Sequence, residues 1–174
     1  SKIKSNISIM KDVQFLQKLL LDICEDPSDI TVDKAFNSIL ESIWVTTTDR
    51  VHEMVSIILQ FTNERFKALN SISRLIFLLD GQKGTKEELK VLLPILLDKL
   101  FDNISTNTLN PNCRHIDNNS KDFSKAQLII HLKNRGLISS KDIVYRIGAT
   151  GVPNLIDHTK HFNNEWHYFN RPYG

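Results

Sequence analysis

The chain has few of the residues that mark a cross-linked, membrane-spanning or redox protein. Its two cysteines, Cys24 and Cys113, stand far apart and form none of the spaced pairs typical of zinc or redox sites. We expect two free thiols in a reducing compartment, with a disulfide between them as the alternative. No apolar run reaches the roughly 18 to 20 residues of a membrane span, and the first residues lack a secretory core. These absences favour a cytoplasmic or nuclear protein with no membrane partner.

Neither sign of charge dominates the sequence. The 22 basic residues nearly balance the 20 acidic ones, and the formal net charge is +2. The sequence has no long run of basic residues that would predict a phosphate-binding surface, so nucleic acid is not the expected partner. The 174 residues fit one domain that buries a core without cross-links. Because the chain opens on Ser1 rather than methionine, we expect a piece of a longer protein.

What the sequence does have is helical periodicity. Between about residues 13 and 100, apolar residues recur at spacings of three and four, separated by short polar loops. The best example places five of them on one face of a helix: Val51, Met54, Val55, Ile58 and Leu59. The pattern predicts an all-α fold, an irregular antiparallel helical array that is either a bundle or a short HEAT-like solenoid.

Local signals set the expected helix boundaries. We expect Trp44 to extend the apolar stripe of the second helix, Gly81 to form a left-handed cap, and Pro94 to kink the fifth helix. The expected helices run from about Ser8 to Cys24, from Thr31 onward, from the Thr46–Asp49 cap onward, from Asn63 to Leu79, from Thr85 to Leu100, from Phe123 to Gly136, from Ser139 to Ile147, and from Val152 to Phe162.

One polar stretch interrupts the pattern. Residues 105–120 are rich in Asn, Ser and Thr and nearly lack apolar side chains. A loop of that length is uncommon inside a compact domain. We therefore treat residues 1–174 as a single helical domain, in which this loop is a binding-loop candidate and a candidate boundary between a five-helix N-terminal part and a smaller C-terminal part.

The strongest candidate site is the aromatic tail. Aromatic side chains with a nearby arginine are enriched at the energetic centres of protein interfaces. The sequence thus predicts a protein partner or an adjacent domain at this tail, and no catalytic set, cofactor or metal site. The candidate interaction surface consists of Trp166, Tyr168, Phe169, Arg171 and Tyr173.

Two other functions remain open as alternatives. A metal-dependent hydrolase would use His158, His161 and His167, whereas a hydrolase without a metal would use Cys113 as nucleophile and His115 as base. An RNA-binding helical-repeat adaptor would align basic side chains along adjacent helices. Those basic residues are Arg65, Lys67, Arg74, Lys83, Lys86 and Lys90.

Two segments resemble a known helical region. The first runs from Arg50-Val51-His52-Glu53-Met54-Val55 through Leu79, and the second runs from His131 through Ile147 with a basic-Gly-apolar-Ile-Ser helix start. Together they are similar to the helical region that precedes the repeats in large ankyrin-repeat proteins of protozoan parasites. The resemblance implies an all-helical interaction module of an intracellular protein, with ankyrin repeats downstream of Gly174. The chain has no ankyrin Thr-Pro-Leu-His element of its own.

Overall fold

The structure, a computed structural model, describes residues 2–65, 68–102 and 121–148. Those residues form helices and turns without any strand, which confirms the all-α prediction. Short 3-10 turns at Ile43–Val45 and Glu87–Val91 precede α3 and α5. The α-helices are α1 (Lys2–Glu25), α2 (Asp29–Leu40), α3 (Thr48–Glu64), α4 (Leu69–Asp80), α5 (Leu92–Phe101), α6 (Lys121–Asn134) and α7 (Ser140–Gly148).

The chain divides into two compact units, Ser1–Leu97 and Asp98–Gly174, and the boundary falls within α5. The polar stretch 105–120, our candidate boundary, lies outside the described residues. The organisation predicted from the sequence, a single domain with a boundary at that stretch, stays a prediction.

In the first unit, both consecutive and alternate helices pack together. Helix α1 packs on α2 and α3, while α2 makes its most extensive contacts with α4. The 3-10 turn at Glu87–Val91 closes over α3 and α4. The five residues chosen for the inner face of α3 are all buried, as predicted. Helix periodicity therefore identified the buried face of α3 correctly.

Polar contacts show that α2 and α4 run in the same direction. Ser71 Oγ, in the first turn of α4, donates to Pro27 O just before α2 at 2.8 Å. One turn further along α4, Arg74 reaches Asp33 Oδ1 at 3.1 Å and Asp29 Oδ1 at 3.4 Å on α2. Successive turns of α4 thus lie beside successive turns of α2, as in a parallel pair of helices.

Serine and threonine caps fix two helix starts. Ser28 Oγ accepts from Thr31 N at 3.4 Å before α2, and Thr47 Oγ1 accepts from Arg50 N at 3.1 Å before α3. Each cap satisfies one amide that the first turn leaves without an intrahelical partner. The predicted cap region of α3 is confirmed, with Thr47 as the capping residue.

Trp44 does not extend the stripe of α2, so that expectation is wrong. Helix α2 ends at Leu40 and Trp44 lies in the following 3-10 turn. Ser42 makes the break: its Oγ donates to Ile39 O at 2.6 Å and accepts from Trp44 N at 3.2 Å. The indole still reaches the core and is fully buried. Apolar periodicity indicated that Trp44 is buried, but not that it lies in a 3-10 turn outside the helix.

Two further boundary expectations are also wrong. Gly81 has a right-handed φ of −63° because the chain leaves α4 through successive tight turns rather than a left-handed cap. Pro94 is the third residue of α5, which starts at Leu92 and not near Thr85, because a 3-10 turn occupies Glu87–Val91. In the first turn of a helix the missing N–H breaks no intrahelical bond, so the expected kink has no cause.

The fourth helix starts later than expected and the first helix starts earlier. Helix α3 continues to Glu64 and α4 begins at Leu69, so Asn63 belongs to α3. Helix α1 begins at Lys2 instead of near Ser8. The additional turns of α1 carry exposed apolar side chains.

The second unit contains the clearest helix end of the chain. Gly136 adopts a left-handed φ of +78°, and its N–H donates to Lys133 O at 2.9 Å. Leu137 N donates to Leu132 O at 3.0 Å, which completes a Schellman motif. The predicted end of α6 at Gly136 is confirmed. Ser139 then caps α7 by accepting from Asp142 N at 3.1 Å.

Candidate interaction surface

An exposed apolar stripe lies on the N-terminal half of α1. The stripe consists of Ile3, Ile7 and Met10, whose side chains are 71%, 49% and 58% exposed. Their spacing of four and then three places them on one face of the helix. We call these three residues the α1 stripe. It spans about 11 Å along the helix axis, at 1.5 Å per residue.

The α1 stripe lies outside the core of its own unit. The buried residues of α1 are Leu16, Leu20 and Ile23, all in its C-terminal half. No side chain described between residues 3 and 11 is buried. The N-terminal half of α1 is therefore a helix whose apolar face has no cover in the described part of the chain.

Lysines border the stripe on one side. In heptad terms, Ile3 and Met10 take d positions and Ile7 takes an a position, so Lys4 and Lys11 both take the flanking e position. Lys11 is exposed and makes no ion pair or hydrogen bond with any described residue. Lys4 has an interaction of its own. The charge next to the stripe is positive.

Other exposed apolar side chains do not form a comparable row. Ile9 and Phe15, each 43% exposed, are also on α1 but lie on faces other than that of the stripe. The remaining ones, Ile30, Phe77 and Tyr145, lie on three different helices. Single exposed apolar residues are ordinary on soluble proteins and need no partner to explain them. The α1 stripe differs from these because its three members share one face of a helix.

Most sequence-predicted site residues lie outside the described part of the chain. This applies to Trp166, Tyr168, Phe169, Arg171 and Tyr173, to His158, His161 and His167, and to Cys113 and His115. The aromatic-tail surface and the histidine set therefore remain predictions. Among the described residues, no group of three or more His, Cys, Asp or Glu side chains is placed to hold a metal ion.

Three of the five basic residues proposed for RNA binding that the structure describes are paired with carboxylates, whereas Arg65 and Lys86 form no ion pair with a described residue. Arg74 contacts Asp29 and Asp33, as given above. Lys83 Nζ lies 3.4 Å from Asp80 Oδ2, and Lys90 Nζ lies 3.2 Å from Glu87 Oε1. Arg65 instead lies over the Phe61 ring, with 5.8 Å from its Cζ to the ring centroid. Lys67 lies outside the described residues. Pairing of this kind reduces the positive field that phosphate binding requires.

Two of the groups with perturbed pKa values, a cysteine and a histidine, are of the types that could act as a nucleophile or a base. Burial raises the pKa of the Cys24 thiol, and the charge of Arg65 opposes that shift. The free thiol of Cys24 thus carries less thiolate at neutral pH than an ordinary cysteine, which argues against a nucleophile. Burial also lowers the pKa of His131, and the nearby charge of Arg135 lowers it further. Both shifts follow from packing and give no sign of a catalytic arrangement.

Sequence reasoning missed the α1 stripe, although its signal was present. Ile3, Ile7 and Met10 show helical spacing, but Ser5, Asn6 and Ser8 between them favour caps and turns over helix interiors. The expected start of the helix near Ser8 excluded two of the three residues. Extending the helical wheel backward from Leu16 reaches Ile9, because the stripe lies on the opposite side of α1 from the buried residues.

The chain matches no protein-family model, and no curated protein or solved structure shows significant similarity to it. None of the described helices has the length and hydropathy that crossing a membrane requires.

Proposed function

We propose that this chain is a non-catalytic helical module that binds other proteins within a larger intracellular protein. The observation that carries the proposal is the α1 stripe, an apolar helix face with no cover from the described residues. Covering three side chains of this size at their present exposure would contribute about 3 to 5 kcal/mol of apolar burial before association costs. That amount favours a modest, reversible contact over a permanent one.

The proposed module has the form of a short helical stack. Its support is the pairing of α1 with α3 and of α2 with α4, in which alternate helices are neighbours. This is how helix pairs stack in HEAT-like solenoids. The resemblance to the region preceding parasite ankyrin repeats leads to the same scaffold role, and we extend the proposal to ankyrin repeats after Gly174. The aromatic tail, from Trp166 to Tyr173, is the second proposed contact surface.

No described residue favours the two alternative functions. The RNA-binding alternative needs a continuous positive surface, but Arg74, Lys83 and Lys90 each have an acidic partner. The hydrolase alternative depends on histidines outside the described residues. A protein-binding role needs only an apolar face that is accessible, and the α1 stripe supplies one.

Selection from a displayed peptide library tests the proposal without a known partner. The full chain is immobilised and used to enrich peptides from a random helical library, in parallel with the variants Met10→Asp and Ser8→Asp. Ser8 is exposed and lies on the far side of α1 from the stripe, so both variants add the same charge to the same helix. Circular dichroism first establishes that both variants fold.

We expect peptides enriched on the wild-type chain to bind Ser8→Asp equally well and to lose at least tenfold in affinity for Met10→Asp. This loss would follow from placing a carboxylate at the centre of an apolar contact. Equal binding of the enriched peptides to all three proteins would show that the stripe is not the binding surface. Failure to enrich any peptide would count against the interaction-module proposal itself.

A further inference from the structure

We infer that the partner of the α1 stripe is an amphipathic helix whose apolar seam is flanked by Glu or Asp. This inference rests on the proposed function and specifies the chemistry of the partner at the same surface. It combines the heptad register of the stripe with the sign of the charges beside it.

The register of the stripe is that of a coiled-coil seam. Ile3, Ile7 and Met10 follow one another at d, a and d positions, and each is exposed enough to act as a knob for a facing helix. Gln14 takes the next a position and ends the apolar seam. The seam therefore covers about one and a half heptads, which suits one short helix and not a long zipper.

The flanking charges select an acidic partner. Lys11 occupies an e position beside Met10, is exposed, and has no ion pair among the described residues. Side chains at e positions face flanking positions of the partner helix and choose between partners by charge. Within residues 2–11, the charged side chains are all lysines. A facing Glu or Asp would gain attraction, whereas a facing Lys or Arg would be repelled.

A second copy of this chain fits the same surface poorly. In an antiparallel pair of α1 helices, e positions face each other, so Lys4 and Lys11 of one copy would lie beside Lys11 and Lys4 of the other. In a parallel pair, Lys11 would face Asn6, which offers no carboxylate. The short stripe also offers much less area than the roughly 1,200 to 2,000 Å² of a stable interface. Neither arrangement provides an ion pair to offset that small area.

Two synthetic helical probes test the inference with the full chain. Both carry Ile and Leu at a and d positions over about three heptads, and they differ only at e and g, where one has Glu and the other has Lys. Fluorescence anisotropy at low salt measures their binding to the wild-type chain, to Lys11→Glu and to Lys34→Glu. Lys34 is an exposed lysine on α2, so it controls for net charge alone.

We expect the Glu probe to bind the wild-type chain on the order of tenfold more tightly than the Lys probe at low salt. Lys11→Glu should reduce that preference at least threefold, while Lys34→Glu should leave it within twofold. Equal binding of both probes, or a preference unchanged in Lys11→Glu, would overturn the acidic-partner inference while leaving a stripe-dependent interaction module in place. No binding of either probe would overturn the helix-partner inference. Sedimentation showing a dimer that Met10→Asp abolishes would replace it with a second copy of the chain.

Discussion

Two alanine substitutions in the same helix should have very different effects on stability. Leu20 lies in the C-terminal half of α1 with none of its surface exposed, whereas Ile7 is about half exposed. We expect Leu20→Ala to lower the free energy of unfolding by about 2 to 5 kcal/mol, because it removes buried methyl groups and leaves a cavity. We expect Ile7→Ala to change it by no more than about 0.5 kcal/mol.

The small effect at Ile7 follows from two opposing contributions. Alanine loses the partial burial of the isoleucine side chain, which is worth well under its full transfer free energy. Alanine is also the better helix former, because isoleucine loses side-chain freedom against the preceding turn. The two contributions nearly offset each other at an exposed helix position.

Urea unfolding followed by tryptophan fluorescence provides the measurement. The chain has two tryptophans, so a Trp166→Phe background leaves the buried Trp44 as the only reporter. Trp44 lies in the first unit, the unit that contains α1. The unfolding midpoints of both alanine variants are compared with that of the Trp166→Phe background, using the same slope of unfolding free energy against urea concentration for all three. A loss at Ile7 as large as that at Leu20 would place Ile7 in the packed core and refute the existence of an accessible stripe.

Three further predictions concern single residues. Gly136→Ala should cost about 1 kcal/mol in thermal or urea unfolding, because φ is +78° there, whereas Gly84→Ala, with open space around its Cβ position, should be neutral or slightly stabilising. The depressed pKa of His131 means that the unfolded chain binds its proton first, so stability should fall as pH drops below 6.5; His131→Gln should flatten this part of the pH profile. Hydrogen bonds from Ser139 lower the pKa of Asp142 from 3.8. The stability that ionised Asp142 contributes should therefore be present above pH 3.8 and be lost as pH falls below it. A plot of stability against pH that is unchanged in Asp142→Asn would contradict this.

The buried faces of this chain were predictable because they follow a period that only a helix satisfies. Val51, Met54 and Ile58 lie on one face of α3 and are all buried, as their spacing required. Gly136 was predictable for a different reason, since glycine adopts a left-handed φ without the cost that a Cβ imposes. In both cases one local physical rule was sufficient.

The wrong helix boundaries occurred where a side chain competes for the hydrogen bonds of the helical backbone, or where a turn replaces the expected cap or helix start. Ser42 ends the helix before Trp44 by bonding to the main chain on both sides, and apolar periodicity does not register that competition. Gly81 suits a left-handed cap, but a series of tight turns satisfies the same carbonyl groups without one. Pro94 follows a 3-10 turn that periodicity reads as part of one long helix.

The N-terminal half of α1 shows why an exposed apolar surface can escape sequence reasoning even when its residues are well spaced. A helix of this length is marginal alone, but the buried turns from Leu16 onward provide the nucleus from which it extends. The extension needs no apolar residue for its own stability, and alanine or lysine would form it better than Ile3 or Ile7. Local helix stability therefore does not account for an apolar row at these positions. The proposed contact with a partner would account for it, and the lysine at the edge of that row is the basis for proposing that the partner is acidic.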